Sequence, residues 1–392
     1  MHIVHLTSVH QRVDTRVFHK MCRTVAEDGH QVTLVVADGL GDATLEGVRI
    51  LDVGRSPGRL ARVLGAPGRL FRQALQLDGD IYHLHDPELL PIGMRLKAKG
   101  RRVIFDSHED VPQQIRSKSY ISPILRGAIS AAMSAYESFA CRKLDGVIGA
   151  TPHIQAKFAG MGIRCVAVNN YPLLSEFGPA LGQSVKQDAV CYVGGIARVR
   201  GIMELLEAAR HLSTPVRINL GGPFETQELR AACVAHPGWA RFNELGFLSR
   251  AGVAETLGAS LAGLVTLQPT TAYTVSLPVK MFEYMAAGLP VIASDFPLWR
   301  TIVEESGCGI CVDPMDPVAI AGAIDWLATH REEGTRMGEN GRRGVLTRYN
   351  WDAEKRTLLN FYSDIIAGGS GAAPDSPDRE QGLASQSGPS DQ

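Results

Sequence analysis

The chain has no long apolar run. Nothing in its 392 residues approaches the ~20 apolar residues that a bilayer-spanning helix needs, so no such helix is expected. It has no charge excess either: 40 Lys and Arg stand against 41 Asp and Glu, a formal net charge of −1. That balance offers no global electrostatic case for nucleic acid as a partner. Cysteines are few, seven in all, and only Cys308 and Cys311 are close, as C-G-I-C. No second CxxC or histidine pair answers them, and they sit on an apolar, strand-like stretch. Buried thiols are therefore expected rather than a zinc or redox half-site. The odd count and the scatter suit a reducing cytoplasm. Met1 is followed at once by "HIVHLTSV", a strand pattern without a basic leader, so no signal peptide is expected.

What is there is a hydrophobic fraction of 45% with 21% charged residues, as in a globular protein with full cores. The length suggests two domains. Short β-branched runs alternate with amphipathic stretches. Strands are expected at 2–7, 31–37, 47–53, 80–85, 101–107, 145–151 and 165–170, with helices at 16–28, 58–77, 88–99, within 112–143 and at 152–160. The rhythm breaks at 173–188, "LLSEFGPALGQSVKQD", which reads as a linker. It resumes with strands at 189–195, 216–222, 240–246, 261–267, 290–294 and 307–312. Continuous apolar strands alternating with helices imply doubly wound, mainly parallel sheets. The expected division is an N-terminal unit over 1–172, the linker, a second unit over 189–345, and a closing helical stretch over 346–367 that packs back on the first unit. The tail from 368 to 392 is rich in Gly, Ser, Pro, Asp and Gln and is expected to be disordered.

Open α/β sheets bind ligands beyond the carboxyl ends of their strands. In the second half the first strand runs into "YVGGIARVRGI". Gly194 and Gly195 let backbone approach a ligand, and Arg198 and Arg200 precede a helix start. Such a set suits phosphate; a tight turn with two solvated arginines is the other reading. The stretch is not GxGxxG and lacks the Walker pattern, which argues against a dinucleotide or ATPase site. Gly222 ends the next strand in "GGPFE", and "ELGFLS" places Phe247 where a base could lie. "SLPVKMFEYMAAGLPVIAS" (276–294) puts Ser276 and Leu277 before Pro278, which suits a first helical turn. Lys280 and Glu283 follow, and Glu283 is placed to accept from a ribose diol.

"YVGG…R.RGI" followed by "PVKMFEYMAAGLPVIAS" resembles the nucleotide-sugar half of retaining glycosyltransferases of family 4, which have the GT-B fold of two Rossmann-like domains facing a cleft. "TSVHQRVDTRVFHKMC", "HLHDPELLP" and "VIFDSHEDVPQQI" resemble the acceptor half of bacterial members. The likeness covers roughly residues 1–365. It implies sugar transfer from a nucleotide-diphosphate sugar with retained configuration, with no metal and no cofactor beyond the donor. Glu283 matches the second glutamate of the family's E-x7-E motif; the first falls at Val275. In the motif G-R-x4-K-G the Arg falls at Gly195 and the Lys at Arg200, with Arg198 expected to supply the missing charge. His108 and Glu109 match the region near the transferred sugar. Asp14, Arg16, His85 and Asp86 follow strands and are expected on the acceptor side. His83, His85, Asp86, His108 and Asp110 also suggest a metal cluster, but one strand pair with one distant histidine is thin for a site.

Residues 55–76 carry Arg55, Arg59, Arg62, Arg69 and Arg72 with Leu60, Val63, Leu64, Leu70 and Phe71 and no acid. The segment reads as basic and amphipathic, suited to an anionic membrane surface, with 117–130 joining it. A glycan or lipid-linked acceptor at the inner face of the membrane would fit a cytoplasmic, peripheral enzyme of polysaccharide or glycoconjugate synthesis. The alternatives are a nucleotide-sugar epimerase of the same fold and a non-catalytic nucleotide-sugar-binding protein.

Overall fold

The β-branched runs pair side by side into two sheets. The structure is a computed structural model that describes residues 1–117, 122–177 and 186–368. Most of the tail expected to be disordered, part of the expected linker, and part of 117–130 lie outside the described residues. The first sheet contains β1 (His2–Leu6), β2 (Gln31–Val36), β3 (Ala43–Leu45), β4 (Val48–Asp52), β5 (Ile81–Leu84), β6 (Arg102–Ser107), β7 (Gly146–Gly149) and β8 (Cys165–Ala167). Their order is β3-β4-β2-β1-β5-β6-β7-β8, parallel apart from the β3–β4 pair. The second sheet contains β9 (Ala189–Val193), β10 (Arg217–Gly221), β11 (Phe242–Gly246), β12 (Gly263–Val265), β13 (Val291–Ser294) and β14 (Gly309–Val312). It is parallel throughout, in the order β11-β10-β9-β12-β13-β14. Every expected strand is present. The unexpected one, β3, is a short and largely exposed edge hairpin partner, so no hydrophobic alternation announces it.

Parallel strands read as continuous apolar runs because helices cover both faces of the sheet. The second-half helices Ile202–His211 and Pro317–Thr329 close one face around Leu205, Leu206, Ile320 and Ile324. On the other face, the helix Val279–Ala286 buries Met281, Phe282, Tyr284 and Met285. The last helix, Trp351–Ile366, crosses back to the first sheet. Trp351, Leu358, Phe361, Tyr362 and Ile365 enter the core that holds Ile3, Phe18 and Ile81. Each such side chain contributes roughly 1.5–3 kcal/mol by leaving water. Trp351 also donates to Thr24 Oγ1 at 2.7 Å.

Two helices differ from expectation near the cleft. The chain after β1 is wound in the wide-turn π form over Thr15–Cys22, capped by Asp14, before an ordinary turn at Arg23–Glu27. The long region within 112–143 divides into Val111–Ser117 and Pro123–Cys141.

Candidate functional site

The carboxyl ends of the two sheets face each other across a cavity of about 480 Å³. His108, Glu109, Thr151 and His153 line it from the first half, and Arg200, Tyr273, Val275 and Ser276 from the second. Of the residues singled out in the sequence, His108, Glu109, Arg200 and Ser276 therefore meet in one space.

The second-half wall is built on bare backbone. Gly222 has φ +136°, and a Cβ there would lie 2.0 Å from the Gly194 carbonyl oxygen. The two strand-end loops thus approach too closely for any side chain. Gly194 itself has φ +134°. Arg200 folds over this loop and donates to the Gly195 carbonyl at 3.1 Å, which Tyr192 also engages at 2.9 Å. Lys280 reaches the same loop and sits 3.6 Å from the centre of the Tyr192 ring. The helix carrying it starts at Val279, one residue later than expected, with Pro278 as the cap.

Other residues expected on this wall stand differently. Arg198 is exposed, its turn pointing it outward, while Arg200 folds in. Phe247 is 85% exposed at the end of edge strand β11; its neighbour Leu248 turns in instead, close to Gly221. The Ser276 amide donates to the Tyr273 carbonyl at 3.1 Å. Leu277 packs against the apolar core. Trp299 pins this loop by donating to the Ser276 carbonyl at 2.7 Å.

Glu283 is not on a wet face. Its side chain is 20% exposed and faces Arg250 at 3.4 Å. Arg250 also meets Glu176 at 3.4 Å and donates to Thr15 Oγ1 of the first half at 3.3 Å. Burial pushes the Glu283 carboxyl up, and Glu176 adds to this, while Arg250 and Lys20 pull it down. Lys20, on the π-wound helix, is lowered to about 7 by burial and by Arg16.

The first-half wall is organised by Asp106, which is fully buried at the end of β6. It accepts from Arg16 Nε at 3.0 Å and Nη2 at 2.7 Å, from His85 at 3.2 Å and from His108 Nε2 at 2.7 Å. Burial would raise its carboxyl, but Arg16 first and then His108 and His85 hold it well below the usual range. Because His85 gives its Nδ1 proton to Asp106, its Nε2 must accept from His5 Nδ1, 2.9 Å away. Asp14 caps the π-wound helix and pairs with His10 at 3.3 Å. Asp86 accepts from Thr7 and from the Ser8 amide at 2.8 and 2.6 Å. Thus Arg16 and His85 act on His108 through Asp106, while Asp14 and Asp86 brace the loop after β1.

Metal-ligand atoms gather in two groups, His5/His83/His85 and His85/Asp106/His108, each within 4.8 Å. These differ from the cluster considered from the sequence: His5 and Asp106 join it, while Asp86 is held by the loop and Asp110 pairs with Lys157 at 3.0 Å. In the second group the Arg16 guanidinium already neutralises Asp106, which disfavours another cation there.

Two family models match, described as "Glycosyl transferase 4-like domain" over residues 15–170 and "Glycosyl transferases group 1" over 176–344. The chain belongs to the group 1 glycosyltransferase family, the two models together spanning most of it. A phosphatidyl-myo-inositol mannosyltransferase of Mycobacterium leprae is 24% identical over 335 residues, 80% of this glycosyltransferase and 82% of the relative. A D-inositol 3-phosphate glycosyltransferase of Corynebacterium urealyticum is 27% identical over 198 residues, 47% of this chain. That match spans only 45% of the relative's own length. Among solved structures, a sucrose-phosphate synthase from Thermosynechococcus elongatus superposes with a TM-score of 0.76 at 18% identity, covering 94% of this chain and all of that one. An Anabaena protein solved with UDP-glucose does so at 0.69 and 15%, covering 93% and 100%. These superpositions show the GT-B fold.

The glycosyltransferase carries Val275 in the cavity lining, so an apolar side chain stands where the E-x7-E motif begins. Residues that the sequence reading passed over include Asp106, His10, Arg250 and Lys20. Asp106 was readable in "VIFDSHED" as a carboxylate inside a continuous apolar strand; the others depend on contacts between distant segments.

The basic segment is divided by the fold. In the helix Gly58–Leu75, Leu70 and Phe71 are core residues, while Leu60 and Leu64 are each 74% exposed. Arg69 donates to the carbonyls of Val53 and Gly54 and to Ser56 Oγ, and Arg62 pairs with Glu88 at 3.3 Å. Arg55 and Arg72 are exposed. Ile124, at the start of the helix Pro123–Cys141, is 89% exposed. Among the described residues no helix is long and apolar enough to cross a membrane.

Proposed function

We propose that the protein moves a sugar from a nucleotide-diphosphate sugar to a glycan or lipid-linked acceptor, with retained configuration and without a metal. The observation that carries this is the single cavity in which His108 and Glu109 face Arg200 and Ser276. Arg200 would stabilise the charge that builds on the departing diphosphate. Asp106 would hold His108 toward the transferred sugar, and Glu283 would take the ribose. In the retaining mechanism that the family resemblance implies, the donor's own diphosphate would take the acceptor proton. The neighbour solved with UDP-glucose supports a nucleotide-sugar donor. The curated relatives carry transferase names, which favours transfer over epimerisation or mere binding.

In this reading residues 1–172 form the acceptor domain and 189–345 the donor domain. The exposed Leu60, Val63 and Leu64 beside Arg55 form a surface suited to an anionic membrane face; liposome flotation with and without anionic lipid tests it. The enzyme test is incubation with UDP-, GDP- and dTDP-sugars in excess EDTA, following nucleoside diphosphate release and the anomeric configuration of the product by NMR. Transfer with the donor's configuration is expected. An inverted product, or activity abolished by EDTA and restored by a divalent ion, refutes the mechanism.

A further inference from the structure

Lys280 Nζ is buried and, among the described residues, has no hydrogen-bond partner. Burying an unpaired ammonium is unfavourable, so its retention points to a ligand. A Cβ built on Gly194 would lie 3.3 Å from Lys280 Nζ and 4.0 Å from Arg200 Nη1. Two cations therefore flank the same bare stretch of backbone. The groups facing Lys280 are Arg200 from the turn Arg198–Arg200, Cys191 and Tyr192 from β9, and Glu283 on its own helix. The ion pair of Glu283 is with Arg250. The Cys191 thiol is pushed up to about 11 and the Tyr192 phenol to about 12 by burial, so both are neutral near pH 7. Among the described residues the one anion facing these cations is Glu283, which is paired with Arg250.

We propose that Lys280 is the second cation of the donor's diphosphate site, replacing the arginine that the motif has where this chain has Gly195, and that donor binding draws a proton onto it. The inference rests on the donor-site reading above. Burial and the charge of Arg200 lower the Lys280 amine to about 7, against the pull of Glu283 and Cys191. The amine is then only partly protonated at neutral pH. A diphosphate beside it favours the charged form, and the proton comes from solvent to Nζ.

The test is titration calorimetry of UDP, GDP and inorganic pyrophosphate at pH 7, in two buffers of different ionisation enthalpy. The proteins are the wild type, Lys280→Met and Lys280→Arg. Lys280→Met should bind the diphosphates roughly 10- to 100-fold more weakly, the value of a charge-assisted hydrogen bond. Without ligand it should melt above the wild type, because it lacks the buried unpaired amine. The wild type should take up measurably more proton than Lys280→Arg, whose guanidinium does not titrate near neutrality. Affinity of Lys280→Met within about threefold of wild type, or equal proton uptake by wild type and Lys280→Arg, overturns this inference alone. No binding of any diphosphate to the wild type overturns the donor-site reading and this inference with it.

Discussion

Replacing Asp106 with asparagine keeps the shape of the side chain and removes its charge. The carboxylate accepts two bonds from Arg16 and one each from His85 and His108, all at 2.7–3.2 Å. The Arg16 guanidinium is itself almost wholly buried, so it cannot turn to water. Breaking a buried pair by removing one partner costs about 3–5 kcal/mol, against a typical total of about 5–15 kcal/mol for a domain. Urea unfolding at pH 7 should show this as a large fall in midpoint. The pH dependence distinguishes the carboxylate from its histidine neighbours. A folded pKa held below the unfolded value, about 3.9 for Asp, adds stability that is present above that value and lost as pH falls through the folded one. The gap between wild type and Asp106→Asn should therefore not close as pH falls from 8 to 5, where protonation of the histidines that Asp106 raises can only widen it, and should narrow below about pH 4. Arg16→Met combined with Asp106→Leu should recover part of the loss, since no charge is then left unpaired. A loss under about 1 kcal/mol, the value of an ordinary hydrogen bond, or a gap that closes between pH 6 and 8, refutes the assignment of Asp106 as the hub of this wall.

Gly222→Ala should abolish nucleoside diphosphate binding in a thermal-shift assay, because its Cβ would meet the Gly194 carbonyl and its positive φ adds about 1–3 kcal/mol of strain. Glu283→Gln should leave the ligand-free melting temperature nearly unchanged, since an ion pair with a largely exposed partner such as Arg250 contributes little. It should weaken nucleoside diphosphate binding roughly 10-fold through the lost charge-assisted bonds to ribose; unchanged affinity refutes the ribose role. His10 is raised by Asp14, Asp86 and Asp106 against a larger opposing effect of burial. Its stabilisation is present below its unfolded value of about 6.5 and is lost as pH rises through the folded one. His10→Gln should therefore destabilise at pH 6 and converge on the wild type in alkali, as read by denaturation midpoints.

The order of strands and helices was legible in the residues because burial on both faces of a parallel sheet imposes continuous apolar runs, and loops must interrupt them. The strand-end rule then pointed to His108 and Arg200, which line the cavity. What the linear pattern left undecided was direction. Arg198 and Arg200 stand two apart in one turn, and only the path of that turn places Arg200 in the cavity and Arg198 outside it. Phe247 and Leu248 are adjacent, and the close packing at Gly221 decides that Leu248 is the one that turns in.

Local preferences, which act over a few residues, therefore settled the two Rossmann-like halves, the glycine loops and the helix beginning beside Pro278. Long-range contacts settled the rest. Arg16 and Asp106 are 90 positions apart, yet they share a buried ion pair. Arg250 joins Glu283 to Thr15 across the cleft. Lys280 faces Gly194, 86 positions before it. Charge compensation depends on distance in space, and only folding sets which of these groups are neighbours.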